Sequence, residues 1–157
     1  DHDNQVVGEN LVPVERFHIP ALILGADITP RRIATVASQI DLPTTALSLI
    51  GVSASHPMLG RDFSTVGDQE DGRAIMQFGE RFVWMENSEL VILAPEQAPV
   101  FAHYDAASKR VTPVAGDQPQ AHRRALAHAL LPSWLYRSGG YSLEPVATGV
   151  PTVTSGG

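Results

Sequence analysis

Apolar positions fall into two textures along the 157-residue chain. In the first texture long apolar runs stand apart. "IPALILG" (residues 19–25) is a continuous apolar stretch that ends in glycine and carries Pro20 near its start. Such a run predicts a strand buried on both faces, as in a parallel or mixed sheet. Proline belongs at its beginning, because it cannot donate to a ladder from the middle. "ADITPRRIATVASQ" is polar and mixed, and predicts a loop with one turn of helix. "DLPTTALSLIGV" predicts a helix, with Asp41 as its cap, Pro43 in the first turn and Gly51 closing it. Ala46, Leu47, Leu49 and Ile50 give that helix an apolar side to lay on a sheet. "SASHPMLGRDFS" returns to turn residues.

The second texture begins after "TVGDQEDG" (residues 65–72), a shift in composition that marks an internal boundary. "RAIMQFG", "RFVWMEN", "ELVILAP" and "PVFAHYD" are four short runs rich in β-branched and aromatic residues. Turn chemistry separates them at Gly79-Glu80, Asn87-Ser88, Pro95-Glu96-Gln97 and Asp105-Ala106-Ala107-Ser108. This is the pattern of an antiparallel meander. "KRVTPV" adds a short fifth strand at the edge, where Pro113 blunts further pairing. "DQPQAHRRALAHALLPSWLYRSGG" then predicts a helix capped by Asp117, with Pro119 in its first turn and Gly139-Gly140 at its end. Leu126, Leu130 and Trp134 recur at i, i+4 with Leu131 and Leu135 alongside, while Pro132 is expected to kink or split it. The closing "EPVATGVPTVTSGG" predicts disorder. The expected organisation is an α/β piece over residues 1–64, a meander with a closing helix over 65–144, and a tail over 145–157.

Composition narrows the function classes. Hydrophobic residues at 43% and charged residues at 18% supply a real core and exclude wholesale disorder. A formal net charge of −6 argues against nucleic acid as a partner. The basic pairs Arg31-Arg32 and Arg123-Arg124 read as solvated positions. With no cysteine, disulfides, thiolate chemistry and zinc–cysteine sites are excluded within these residues. No apolar run reaches the roughly 18 residues of a membrane span. Since the chain starts at Asp1, a targeting signal or anchor would lie upstream.

Candidate chemistry is thin by residue type alone. The opening pair Asp1-His2 reads as a terminal tail, with metal ligation as the alternative. His18 precedes the first predicted strand, His56 lies in a loop, and His103 sits beside Tyr104 in the meander. His122 and His128 are six apart on a helix and do not share a face as an i, i+4 metal pair would. Phosphate-loop, dinucleotide-loop and Ser-His-Asp patterns are absent. Asp41 is first of all a helix start. Arg61 and Asp62 are expected to pin a loop by a local ion pair, and Trp84, Trp134, Phe82 and Tyr104 to be core.

Read in order, "DH", "ERFHIPALILG", "ASQIDLPTTALSLIGV" and "GRDF" say more. The series resembles the C-terminal part of the sulfatase-like branch of the alkaline phosphatase superfamily. Within that branch it is most similar to the lipoteichoic acid synthase and phosphoglycerol transferase family, where "FHIP" and "SQIDLPT" are characteristic wordings. The resemblance covers about residues 1–64 by motif and the remainder in outline. It implies an α+β fold: the C-terminal portion of an alkaline-phosphatase-like α/β core, then a small four-stranded antiparallel sheet and a C-terminal helix.

The resemblance also implies roles. Asp1 and His2 match paired metal ligands, and a carboxylate with a neutral imidazole suits Mn²⁺ first, with Zn²⁺, Mg²⁺ or Ca²⁺ open. Such an ion would neutralise a phosphate or sulfate oxygen and stabilise a nucleophile's alkoxide. Asp3 and Asn4 depart from the glycine that many sulfatases carry after the pair, which disfavours a sulfatase. The family's nucleophile and remaining acidic ligands precede the Asp-His pair, so this chain alone is expected to be inactive, with no catalytic residue of its own. The implied parent is a metal-dependent phosphoglycerol (phospho-alcohol) transferase acting on cell-envelope lipid or glycan. It would work on the extracytoplasmic face of the bacterial inner membrane, partnered by the upstream part of its catalytic domain. The alternatives are a sulfatase or phosphodiester/phosphonate hydrolase of the same superfamily, and a non-catalytic scaffold or binding module.

Overall fold

Residues 11–67 and 71–141 are described by the structure, a computed structural model. Asp1, His2, Asp3 and Asn4, and the predicted tail over 145–157, lie outside the described residues.

The meander forms as its pattern predicts. Strands β1 (Arg73–Phe78), β2 (Arg81–Glu86), β3 (Glu89–Leu93), β4 (Val100–Asp105) and β5 (Arg110–Pro113) make one antiparallel sheet in that order. The edge strand suggested by "KRVTPV" is β5, which raises the four expected strands to five. Gly79 closes the first hairpin at φ 59° and Asn87 the second at φ 53°, the left-handed conformation that glycine and asparagine adopt at low cost.

Both faces of the sheet are covered, which is why its strands read as nearly continuous apolar runs. Across one face, register aligns Ala74 with Met85, Met85 with Leu90, and Leu90 with Ala102. Val12 and Val14, from the turn of 3-10 helix Val14–Arg16 and the residues before it, pack on this face with Met76, Val83 and Ile92. Across the other, Ile75 faces Trp84, Trp84 faces Val91 and Val91 faces Phe101. Ala121 and Ala125 of the C-terminal helix cover that row.

Two helices complete the described fold, α1 (Asp41–Leu49) and α2 (Pro119–Ser138). Both end as predicted. At α1, Gly51 has φ 76°, its N–H bonds Ser48 O at 3.0 Å, and Val52 N–H bonds Leu47 O at 2.9 Å. At α2, Gly139 has φ 70° and Gly140 N–H bonds Leu135 O at 2.8 Å. In each, a left-handed glycine lets the chain turn back and satisfy the last carbonyls.

Several expectations are corrected. The run over 19–25 is not a strand: among the described residues no other strand lies beside it, and a strand without a ladder partner has nothing to hold it. Residues 26–39 contain turns but no helix. Neither predicted cap operates. Asp41 is the first helical residue of α1, Gln118 precedes α2, and neither helix has a side-chain cap bond. Pro132 does not split α2, which runs through it. Pro132 is exposed and removes one N–H donor from the helix ladder at that turn.

The helix faces are the larger surprise. Leu126, Leu130 and Trp134 face outward, with Trp134 63% exposed, so Trp134 is not core. Alanine is preferred against the sheet because it lets the α2 backbone approach the large Trp84. The apolar side of α1 is turned out as well, and its buried residues are polar, Asp41 and Thr45.

Candidate functional site

The buried polar residues of α1 build the most constrained cluster among the described residues. Asp41 is 2% exposed, and a carboxylate at that depth must be fully partnered. Its Oδ2 accepts from Ser38 N–H at 2.8 Å and its Oδ1 from Arg61 N–H at 2.7 Å. Arg73 Nη2 donates to Oδ1 at 3.4 Å, and Arg61 Nη2 stands 3.9 Å from Oδ2. One carboxylate thus joins the start of α1, the chain before it, the "GRDF" loop and the head of β1.

The two guanidiniums extend the clasp. Arg61 donates to Asp71 O at 2.7 Å and Val36 O at 3.2 Å, and Arg73 donates to Leu59 O at 2.8 Å. Thr45 adds a second tie: its hydroxyl donates to Asp41 O at 2.8 Å and accepts from Phe63 N–H at 3.0 Å. Arg31 caps the same loop, donating to Phe63 O at 2.7 Å and Ser64 O at 2.9 Å. Burial pushes the Arg73 guanidinium below its ordinary value, and Asp41 opposes that shift.

This geometry requires two glycines. A Cβ on Gly60 would lie 2.0 Å from Ile40 O, and one on Gly72 would lie 2.5 Å from Val36 N. Each is followed by one of the two arginines, so the paired "GR" dipeptides at 60–61 and 72–73 are the sequence signal of the clasp. Small size lets the backbone close in, and the next side chain reaches the carboxylate. Ser38 and Arg73 carried no individual signal in the sequence.

Donors reach both Asp41 oxygens, and at 2% exposure the carboxylate has no open approach for a substrate proton. The expected local pair of Arg61 with Asp62 does not form. Arg61 pins the loop through distant carbonyls, while Asp62 Oδ1 accepts from Ser64 N–H at 2.8 Å.

The remaining histidines are dispersed. His103 pairs with Glu89 at 2.8 Å on an exposed part of the sheet. His128 stacks on Trp84, with ring centroids 4.0 Å apart. Among the described residues no group of three or more His, Asp or Glu could hold a metal ion. The described residues therefore do not fit a metal centre, and the two ligand candidates, Asp1 and His2, lie outside them.

No family model matches the chain. Among solved structures, the chain is similar to the crystal structure of a protein in the alkaline phosphatase superfamily from Vibrio parahaemolyticus. The two are 44% identical with a TM-score of 0.82, over 91% of this chain and 35% of that chain. The chain therefore spans about a third of the length of the structure it matches. Members of that superfamily are typically enzymes and typically metal-dependent. The five-stranded antiparallel sheet with its C-terminal helix matches, in fold and in sequence, a part of an alkaline phosphatase superfamily protein.

Proposed function

We propose that this chain is the C-terminal part of a metal-dependent phosphoglycerol transferase of the sulfatase-like branch. One observation carries the reading: the ordered series "DH", "FHIP", "SQIDLPT" and "GRDF" runs through a chain 44% identical to an alkaline phosphatase superfamily protein. In this proposal residues 1–64 belong to the catalytic core and 65–144 are the sheet-and-helix module that closes on it. Asp1 and His2 are metal ligands, with Mn²⁺ the favoured ion. The nucleophile, a threonine hydroxyl, lies upstream: its oxygen bonds to phosphorus as the bond to the lipid alcohol breaks and that alcohol leaves protonated, and an acceptor hydroxyl then displaces the threonine oxygen and takes the phosphoglycerol group. The site faces the extracytoplasmic side of the inner membrane. Within such an enzyme the Asp41 clasp holds its own segment rigid and takes no part in group transfer.

The test uses the longest natural protein that contains this chain. Asp1→Ala with His2→Ala is expected to remove bound metal, read by elemental analysis, and turnover of a phosphoglycerol lipid. Unchanged metal content and turnover would end the assignment. Faster hydrolysis of an aryl sulfate than of a phosphodiester would move the protein to the sulfatases.

A second reading applies to the 157 residues by themselves. The Asp41 carboxylate is buried with donors on both oxygens and the described residues gather no metal-binding group, which favours a scaffold without turnover. Hydrolysis of a phosphodiester or sulfate ester by the purified chain would overturn it.

A further inference from the structure

The outward side of α2 is organised as a stripe. Leu126, Leu130 and Trp134 are 41%, 58% and 63% exposed, and Arg123 and Arg137 are exposed as well. At about 100° per residue these five side chains fall within an arc of about 80°. Ala121, Ala125 and His128, which meet the sheet, lie on the opposite side. An apolar ridge thus runs along the helix with one arginine at each end, about 21 Å apart by helical rise. Because the alanine side is packed on the sheet, the ridge stays turned outward.

Charge sets α2 apart from the rest of the chain. The helix carries Arg123, Arg124 and Arg137 and no carboxylate, although the formal net charge of the protein is −6. Arg124 is paired with Glu86 of the sheet. Among the described residues no carboxylate pairs with Arg123 or Arg137.

Possible occupants differ in what they do with those two charges. A second copy would bring like charges together. Arg123 and Arg137 each stand seven residues from Leu130, so an antiparallel pair centred there sets Arg123 of one copy against Arg137 of the other. A parallel pair sets each arginine against itself. A folded protein surface would have to supply a carboxylate for each arginine as it buried the ridge, or leave the charge unpaired. An anionic bilayer supplies both kinds of partner at once. Leucine and tryptophan side chains enter the interface, where tryptophan is favoured. The arginines reach lipid phosphates while their stems lie along the ridge.

We infer that the outward stripe of α2 (Arg123, Leu126, Leu130, Trp134, Arg137) is a peripheral contact site for an anionic lipid surface, with α2 lying in the membrane plane and the sheet above it. Nothing in this surface depends on which reaction the protein serves, so the test reads membrane contact and not turnover.

The experiment incubates the 157-residue chain at low salt with vesicles of phosphatidylglycerol mixed equally with phosphatidylcholine, or of phosphatidylcholine alone. Binding to the mixed vesicles, read by sedimentation, should be at least about 10-fold tighter than to phosphatidylcholine, and should weaken as salt rises. Residue-resolved hydroxyl-radical oxidation should show Trp134 protected on the mixed vesicles, while Trp84, 2% exposed in the chain itself, should not change. Arg123→Gln with Arg137→Gln should weaken binding about 20- to 30-fold, at about 5-fold for each charge. Leu130→Gln with Trp134→Gln should abolish it. Both double variants should melt within a few degrees of the wild type, because the side chains they replace are exposed. Leu22→Asp with Leu24→Asp is the control for the other exposed leucines and should leave binding intact. Loss of binding in that control with retention in the α2 variants would overturn the inference. So would equal binding, or none, to the two kinds of vesicle, or a dimer by light scattering that Leu130→Gln disperses. In the longest natural protein that contains this chain, protection of Trp134 with lipid absent would mean that polypeptide covers the stripe, and would overturn it too.

Discussion

The imidazole of His128 lies flat on the indole of Trp84, with ring centroids 4.0 Å apart and planes inclined by 15°. The Arg73 guanidinium stands 5.8 Å from the same indole. Trp84 is 2% exposed and carries α2 on the sheet together with Ala121 and Ala125. The helix is thus docked by two alanines and a histidine, while Leu126 and Leu130 point away.

That stack makes the docking of α2 sensitive to pH. Burial first, and then the Arg73 charge, hold the His128 imidazole below the ordinary histidine value of 6.5, with Glu86 partly opposing. The folded state therefore binds this proton less readily than the unfolded chain does. Its stability contribution is full above the unfolded value and is lost as pH falls through 6.5 toward the folded one. Melting temperature should decline between about pH 7 and pH 5. His128→Phe, which keeps the stack without a titrating group, should flatten that decline. An equal decline in the variant would assign the effect elsewhere.

The Asp41 clasp predicts a larger effect. Asp41→Ala would leave the Ser38 and Arg61 N–H groups without their acceptor and two guanidiniums without their counter-charge, and removing one partner of a buried pair costs about 3–5 kcal/mol. Asp41→Asn keeps an oxygen for one N–H donor and should fall between the variant and the wild type. Denaturant unfolding measures both. If Asp41→Ala cost less than about 1 kcal/mol, water would be replacing the lost bonds and the cluster would not be a clasp.

Arg124 and Glu86 form the bond from α2 to the sheet that looks strongest by geometry, at 2.6 Å between Arg124 Nη2 and Glu86 Oε2. Their side chains are 49% and 30% exposed, and an exposed pair is worth only about 0–1 kcal/mol. Arg124→Ala should therefore cost under about 1 kcal/mol in unfolding experiments. The loss should shrink further at high salt. A salt-independent loss of several kcal/mol would mean that the arginine stem, not its charge, holds the helix.

Legibility in the sequence followed the range of the interactions. The meander was readable strand by strand, because short runs rich in β-branched and aromatic residues and turn residues such as Gly79 and Asn87 are local signals. Both helix ends were readable for the same reason, since Gly51 and Gly139 act within one turn. What failed depended on distant partners. The run at 19–25 has strand composition, yet strand structure needs a neighbour that the described residues do not supply. Asp41 sits where a cap belongs, but Arg73, 32 positions away, helps hold it buried. The outward leucines of α1 and α2 obeyed helical spacing without revealing what lies against them. Asp1 and His2 lie outside the described residues.

Gly60 offers the sharpest separation of mechanisms. A Cβ there would meet Ile40 O at 2.0 Å and Asp41 Cα at 2.8 Å. Both are backbone atoms and cannot swing aside, so Gly60→Ala must push the 59–61 segment away from the start of α1. That displacement would draw Arg61 N–H from Asp41 Oδ1, a bond now 2.7 Å long. The expected cost is about 1–3 kcal/mol for the forced shift, and more if the clasp opens. Gly79→Ala is the contrast: its Cβ meets nothing within 4 Å, but φ is 59°. Only the left-handed backbone then resists, at about 1–2 kcal/mol, with the clasp untouched. Double-mutant cycles tell the two apart. Gly60→Ala and Asp41→Ala break the same contact and should add to less than the sum of their single costs, whereas Gly79→Ala and Asp41→Ala should add fully. Full additivity at Gly60 would show that the close approach of 59–61 to α1 does not depend on the Asp41 carboxylate.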